Sequence, residues 1–438
     1  MTHVELGFDK LRSPCRIGEV ISQVVQSMTS TADVIVVGAG PSGCAAAIVA
    51  ARRGLDVLLI DKSPEFPRVK VCGDALTPRA VAALSTLGIE PDPSWHKATG
   101  MAIYGIRAEP YLFPWPAASG WPDTAYTVPR ADFDAKLLEA ARDAGARVLL
   151  GTPVKGLAMD GHRAAGVVTP AGQLRAQVVV DAAGASSRLA ITAGMPRLPG
   201  RPMGVAARGY MRGAMGRAAE EQWLHSWLAL PGPDGARLAG YGWVFPLGGG
   251  LYNVGVGQLS SSPSFKRTDY KAALRAFGDG LPSGWNMTWT DDPILSAALP
   301  MGLDRRVVYR NGVLVTGDAA GLVNPFDGEG VSFGLESGTW AAEAIAAAAS
   351  TGFGTPAAEH ALQGYHHRVK AEHGHYMSAG NVFVRLMGHP AVLDACLRFG
   401  LPRPWVMRPV NKLMSDLIAV HGGPLDDRLI RGLLRVVR

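Results

Sequence analysis

In this 438-residue chain, chemistry is most definite where Gly38, Gly40 and Gly43 are followed, 23 residues after the first, by the carboxylate of Asp61. Glycines at this spacing allow a tight turn, a close backbone approach to a pyrophosphate, and dense packing of a helix on a strand. Pro41 suits a first helical turn, where its missing N–H costs nothing. The free N–H groups and positive dipole end of such a helix can hold a pyrophosphate. Asp61 stands where an acid that accepts from ribose hydroxyls belongs. The pattern predicts a dinucleotide site without deciding which dinucleotide.

The elements that must position these residues are legible around them. An apolar strand, Val34 to Val37, precedes the turn; an alanine-rich helix follows; a second apolar strand, Val57 to Ile60, ends on Asp61. A proline-rich loop then leads to Cys72-Gly73-Asp74, and Thr77-Pro78 opens a helix as an N-cap followed by Pro at N1. VPRADFDAKLLEAARDAGARVLLG reads as loop, amphipathic helix and strand, and VVTPAGQLRAQVVVDAAG as a hairpin returning to the nucleotide sheet. From Pro196 to Pro300 the runs turn β-like and rich in tryptophan. GYGWVFPL and YNVGVGQL, separated by GGGL, form a hairpin there. Strand alternation puts Tyr241, Trp243 and Phe245 on one face; an ordinary aromatic core is the alternative reading. VLVTGDAAGLVNPFDGEGVSFGLESGTWAAEAIAAAA returns as strand, loop and long helix, and the rest is helical and apolar.

Composition narrows the class. Apolar residues make up 47% and charged ones only 18%, which fits a greasy substrate or a membrane-surface habit. No run of about 18 uncharged apolar residues exists, so no transmembrane helix is expected. The net charge of +6 is spread out with no dense basic block, which excludes nucleic acid as a partner. Cys15, Cys44, Cys72 and Cys396 show neither metal spacing nor a disulfide framework, so no metal is expected and a reducing cytoplasm is the default. Residues before Thr31 lack the apolar core of a secretory signal. GEVISQVVQS can make one short helix, and Met28 is an alternative start of the working protein.

Five separated patches carry more than any one alone: GAGPSG with Asp61, VCGDALTPRAV, Arg130 with DFDAKLLEAA, DAAGASSRL, and GDAAGLVNPFDGEG. In their order and spacing the chain resembles the flavoprotein superfamily of aromatic hydroxylases, and within it the geranylgeranyl reductase branch. The resemblance implies an α/β fold: a Rossmann-like FAD domain interleaved with an antiparallel β-sheet substrate domain, and a helical C-terminal region. The boundaries expected are an extension over 1–30, an FAD domain over 31–92, 126–190 and 305–350, a substrate domain over 93–125 and 191–304, and a helical region over 351–438. It implies that Gly38, Gly40, Ser42, Gly43, Asp61, Lys62, Cys72, Gly73 and Arg130 hold FAD, together with Asp318, Gly328, Gly330 and Val331. Asp318 would meet a ribityl hydroxyl, Arg130 the phosphate or ribityl region, and the glycines would let backbone N–H groups reach the pyrimidine edge. The helix beginning there would favour a reduced, anionic flavin by about 0.3–1 kcal/mol. Asp181, Gly184, Ser187 and Arg188 would shape the neighbouring loop.

Two motifs select the branch by the same resemblance. Tyr241, Trp243, Phe245 and Pro246 complete Y-x-W-x-F-P, the strand that lines a prenyl-chain cavity, although Leu238 replaces the proline of the fuller pattern. Cys72-Gly73 stands where flavin halogenases have Gly-Glu-Ser. The implied reaction saturates an isolated, methyl-branched C=C of a long isoprenoid, closest to the bacterial reductases of menaquinone side chains. Tyr241 and Cys72 are the candidate proton relays. No second glycine fingerprint is present, so NAD(P)H, or a protein electron donor in its place, would visit transiently. A monooxygenase or halogenase, and a non-catalytic prenyl carrier, are the competing readings. From Leu401 to Arg438 stand seven Lys/Arg and three Asp, with Pro402, Pro404 and Pro409 expected to break the helix into pieces. This tail suits either contact with a membrane surface or a packed helical lid.

Overall fold

The computed structural model describes residues 31–116, 121–217, 219–231, 237–418 and 423–436. The expected helix in GEVISQVVQS and the start at Met28 lie outside the described residues. Ala32–Val37 runs between Val57–Ile60 and Gly172–Asp181, parallel to both. Arg147–Leu149 and Val313–Val315 extend this parallel order outward. Parallel strands are covered on both faces by their crossovers, so they read as unbroken apolar runs such as VIVV and VLLI. The hairpin Arg163–Thr169 with Gly172–Asp181 joins the sheet as the sequence implies.

Helix Pro41–Arg52 follows the first strand directly, and helix Val331–Ser350 lies against it. The contact is backbone to backbone: a Cβ on Gly338 would fall 2.1 Å from the Ser42 carbonyl oxygen. A largely antiparallel second sheet is built from strands between Gly100 and Pro300, with Met203–Arg212 paired to Leu251–Leu259 and Leu295–Pro300. Gly240–Gly248 and Leu251–Leu259 form the expected hairpin, and Gly248, Gly249 and Gly250 all take positive φ in its turn. The tryptophans divide between the faces of this sheet. Trp285 is buried with Val244 and Val254 in the core beneath helix Tyr270–Asp279, where Trp227 and Trp289 also pack, whereas Trp243 and Phe245 belong to the opposite face. The α/β architecture is therefore the one implied by the sequence.

The C-terminal region opens with the 32-residue helix Pro356–Met387, followed by Pro390–Ala395, Pro404–Met414 and Leu425–Val436. Pro409 departs from expectation: it lies inside Pro404–Met414 and does not end it. The only i→i−4 bond it forfeits is to the carbonyl of Trp405, a residue 75% exposed, where water can take the acceptor. The segment after this helix is tied back by Arg79, whose guanidinium meets Asp416 at 2.7 Å and Glu336 at 2.9 Å. Burial alone would raise the Glu336 carboxyl, but Arg79 and His373 overcome it and hold it down at about 2. No helix among the described residues is long and apolar enough to cross a membrane.

Candidate active site

Both glycine motifs and the aromatic strand open on one cavity of about 1040 Å³. At one end the Pro41 helix presents its N-terminus from a turn that only glycine permits. Gly38 has φ +105°, and a Cβ there would sit 2.4 Å from the Ala182 oxygen; one on Gly43 would sit 1.8 Å from the Gly38 oxygen. Gly43 therefore lies beneath the turn, and of the residues expected to hold FAD it alone does not line the cavity. Gly40 differs: a Cβ there would meet only the Arg68 Nη2 atom at 3.6 Å and would project into the space a pyrophosphate needs.

Asp61 is buried at the end of its strand, accepting from the Ala39 N–H and the Ser63 N–H at 2.8 Å each. Arg68 reaches across the groove, 3.4 Å from Asp61 and 3.5 Å from Asp134, and its buried Nε has no hydrogen-bond partner. Nothing in the sequence singles out Arg68; its position depends on a loop folding back over the groove. Arg130 is buried too, donating from Nε and Nη2 to Asp134 Oδ1 at 2.9 and 2.8 Å while lying against Cys72. Ser42, Lys62 and Gly73 complete this half of the lining. Asp181 stays behind the cavity, accepting from the Ser187 hydroxyl and the Ala183 and Ala190 N–H groups, while Gly184, Ser187 and Arg188 line it.

The other glycine motif approaches from the opposite side. Asp318 lies over the start of helix Val331–Ser350, where a Cβ on Gly330 would come 3.1 Å from its Oδ1. Gly328, Gly330 and Val331 line the cavity. The first turn of that helix is not wholly free, because Glu329 accepts from the Ser332 N–H at 2.7 Å and its hydroxyl at 2.5 Å. This cradle of backbone N–H groups, two helix N-termini, a buried unpartnered Arg68 nitrogen and a groove left open by Gly40 fits the anionic, extended FAD.

Tyr241, Trp243 and Phe245 all face the cavity beyond this cradle. The Trp243 indole lies across the neighbouring strand, where a Cβ on Gly255 would fall 1.9 Å from its ring. The Tyr241 hydroxyl donates to the Asp327 main-chain carbonyl at 2.5 Å. Burial raises the Tyr241 phenol and the Cys72 thiol, the latter despite Arg130 beside it, so both keep their protons. Burial also lifts the Asp327 carboxyl well above the usual range, reinforced by the charge of Glu329.

A fully buried amide clamps the aromatic strand to the Cys72 loop. Asn253 accepts from Trp243 Nε1 at 2.8 Å and donates to the Cys72 carbonyl at 2.8 Å and to Asp74 Oδ2 at 2.7 Å. Asp74, at φ +62°, also accepts from the Tyr210 hydroxyl and the Arg130 N–H. A buried asparagine within the apolar run YNVGVG is the one signal that could have identified it. Asn253→Leu is expected to cost about 3 kcal/mol, since removing one partner leaves buried groups unsatisfied at about 1–3 kcal/mol each. Urea unfolding of the flavin-loaded protein measures this, and a loss under about 0.5 kcal/mol, the usual effect of a neutral surface change, would show that the clamp carries no weight.

The far end of the cavity is apolar and is closed by C-terminal residues, among them Phe383, Met387, Leu397, Met407 and Val410. Among the described residues no cluster of His, Cys, Asp or Glu could hold a metal ion.

The FAD binding domain family model matches residues 31–373. Menaquinone reductase of Mycolicibacterium smegmatis is 39% identical over 334 residues, covering 74% of this chain and 79% of that protein. Digeranylgeranylglycerophospholipid reductase 1 of Methanothermobacter thermautotrophicus is 31% identical over 332 residues, with 74% and 79% covered. Among solved structures, a geranylgeranyl bacteriochlorophyll reductase-like protein from Thermoplasma acidophilum superposes with a TM-score of 0.75 at 25% identity, over 92% of this chain and 99% of that one. A flavin-dependent brominase, Bmp2, shares the fold with a TM-score of 0.71 at 20% identity, over 93% and 99%.

Proposed function

Because the chain belongs to the FAD binding domain family, and within it to the geranylgeranyl reductase flavoproteins, we propose that it saturates isolated C=C bonds of a polyprenyl chain, with a menaquinone side chain as the substrate of choice. The observation that carries this reading is the continuity of one cavity from the glycine cradle, past Tyr241, Trp243 and Phe245, to an apolar C-terminal end. Such a lane, apolar at its C-terminal end, suits an extended hydrocarbon.

Gly38, Gly40, Ser42, Asp61, Lys62 and Arg130 would hold the adenosine and phosphate half of FAD, and Asp318, Gly328, Gly330 and Val331 its ring end. Bound and reduced, FAD supplies the hydride that an unactivated alkene needs. The protein's own task is the matching proton and the charge that it creates. Protonating a methyl-branched alkene puts positive charge on the tertiary carbon, and the π faces of Trp243 and Phe245 stabilise it by about 0.5–2 kcal/mol per dry contact. Tyr241 and Cys72 keep their protons by burial and face the cavity, so each holds a proton that can move to the substrate. Asn253 holds the Cys72 loop against the strand that carries Tyr241 by gripping the Trp243 indole on one side and the Cys72 carbonyl on the other.

Electrons arrive from NAD(P)H or from a protein donor that visits transiently. The substrate resides in a bilayer, so the enzyme works in peripheral contact with one. The direct test is to reduce the bound flavin without oxygen and add a prenylated quinone. Prompt reoxidation of the flavin by the quinone's side chain supports the reading; reoxidation only after oxygen is admitted refutes it. A quinone with a fully saturated side chain must be inert in the same assay, which separates side-chain chemistry from reduction of the quinone ring.

A further inference from the structure

Helix Leu425–Val436 has two apolar faces where a packed helix needs one. Ile430 is buried, and the partly buried Leu434 packs into the main core, so these two make the inner face, with Asp427 fully buried beside them. Asp427 and Asp426 are gripped by Lys412 at 3.0 and 2.8 Å, which fixes the helix to its neighbour Pro404–Met414. At 3.6 residues per turn, Leu425, Leu429 and Leu433 fall within an arc of about 80° on the other side. They are 75%, 68% and 68% exposed. Arg428 and Arg435, both exposed, run along one margin of this stripe.

The stripe is not isolated. Of thirteen large apolar side chains exposed among the described residues, seven lie beyond residue 380, including Trp405 at 75% and Phe399 at 62%. Tryptophan is favoured where one side of a surface is apolar and the other wet. Helix Pro404–Met414 carries Trp405 outward while its Met407 and Val410 line the cavity. Val382, Leu386, Phe399 and Trp405 thus lie on the elements that close the apolar end of the cavity, and helix Leu425–Val436, which does not line it, is tied to one of them through Lys412.

We propose that the Leu425–Leu429–Leu433 stripe is a docking surface for an anionic bilayer. It rests on the reading that the substrate is a membrane-held isoprenoid, and adds the face that meets the membrane. An apolar stripe bordered by arginines lies in the headgroup boundary, the leucines in the acyl region and the arginines at lipid phosphates. A second copy of the chain fits less well. A two-fold contact would set the same arginines against each other, and Asp426 and Asp427 are already committed to Lys412. Docked this way, the bilayer lies beside helix Pro404–Met414, whose Met407 and Val410 line the apolar end of the cavity, which shortens the path of a prenyl chain from membrane to aromatic strand.

The test uses the full FAD-loaded chain and vesicles of phosphatidylcholine with or without phosphatidylglycerol, read by co-sedimentation. Wild type is expected to bind the anionic vesicles, and Leu429→Asp with Leu433→Asp to lower partitioning at least about tenfold, because binding scales with buried apolar area. Arg428→Gln with Arg435→Gln should weaken binding and flatten its salt dependence. Both variants should keep the flavin and wild-type turnover of a short, water-soluble prenyl alcohol. Equal partitioning of wild type and the leucine variant, or no binding by wild type, overturns the proposal. So does a wild-type dimer in sedimentation equilibrium that the leucine variant dissolves, which would assign the stripe to a second copy. Vesicle binding without any prenyl reduction would instead overturn the reductase reading and leave this surface standing.

Discussion

Gly40→Val is expected to give a folded protein that has lost its flavin. Gly40 caps the Pro41 helix at φ −87°, a conformation open to any residue, so the backbone itself raises no objection. The nearest atom to an added Cβ is the mobile end of Arg68 at 3.6 Å, so no packed core is disturbed. A valine would instead place two methyl groups in the groove where backbone N–H groups must approach the pyrophosphate. FAD affinity should fall at least about 100-fold, near 3 kcal/mol at about 1.4 kcal/mol per tenfold. Titration of apoprotein with FAD measures it, and the melting temperature of the apoprotein should match wild type. Gly43→Val is the control for the other failure, because a Cβ 1.8 Å from the Gly38 oxygen cannot be accommodated and the fold itself should suffer. A Gly40→Val protein that purifies with a full complement of flavin would place the pyrophosphate elsewhere.

Tyr241→Phe should have the opposite signature, with flavin retained and alkene reduction lost. The ring stays, so the cavity wall keeps its shape; only the hydroxyl that donates to the Asp327 carbonyl is removed. Leaving that acceptor unpaired costs about 1–3 kcal/mol of stability. Loss of a positioned proton donor lowers turnover by about 10²–10⁴-fold. Single-turnover reoxidation of reduced enzyme separates these effects, since a structural cost alone would leave the rate per folded molecule unchanged. Unchanged turnover would remove Tyr241 from proton transfer and leave Cys72, whose thiol is likewise kept protonated by burial. Cys72→Ala would then be decisive.

How much of this was legible in the sequence depends on the range of the interaction. Gly38, Gly43 and Asp61 declare themselves because strand, turn and helix are consecutive and the glycines answer local steric demands. Tyr241, Trp243 and Phe245 are equally local, since alternation along one strand suffices to align them. The Asn253–Asp74 pair is not local, joining residues 179 apart that meet only when the second sheet closes on the Cys72 loop. Arg68 escapes notice for the same reason. Glu329 was hidden differently: the sequence shows where the Val331 helix starts, but not that a preceding carboxylate takes first-turn donors. The C-terminal prolines misled in one place, because Pro409 lies inside helix Pro404–Met414, where its missing N–H costs a single bond to an exposed residue, Trp405.

The central claim is that this FAD site adds hydrogen to an isolated double bond in a prenyl chain. The measurement that bears on it most directly is mass spectrometry of a prenylated quinone after incubation, without oxygen, with dithionite-reduced enzyme. The account predicts a product heavier by two hydrogens in its side chain, formed with wild type, strongly reduced with Tyr241→Phe, and absent without flavin. A product that forms only in air and carries an added oxygen or halogen, or an unchanged side chain with fully reduced flavin present, would contradict it.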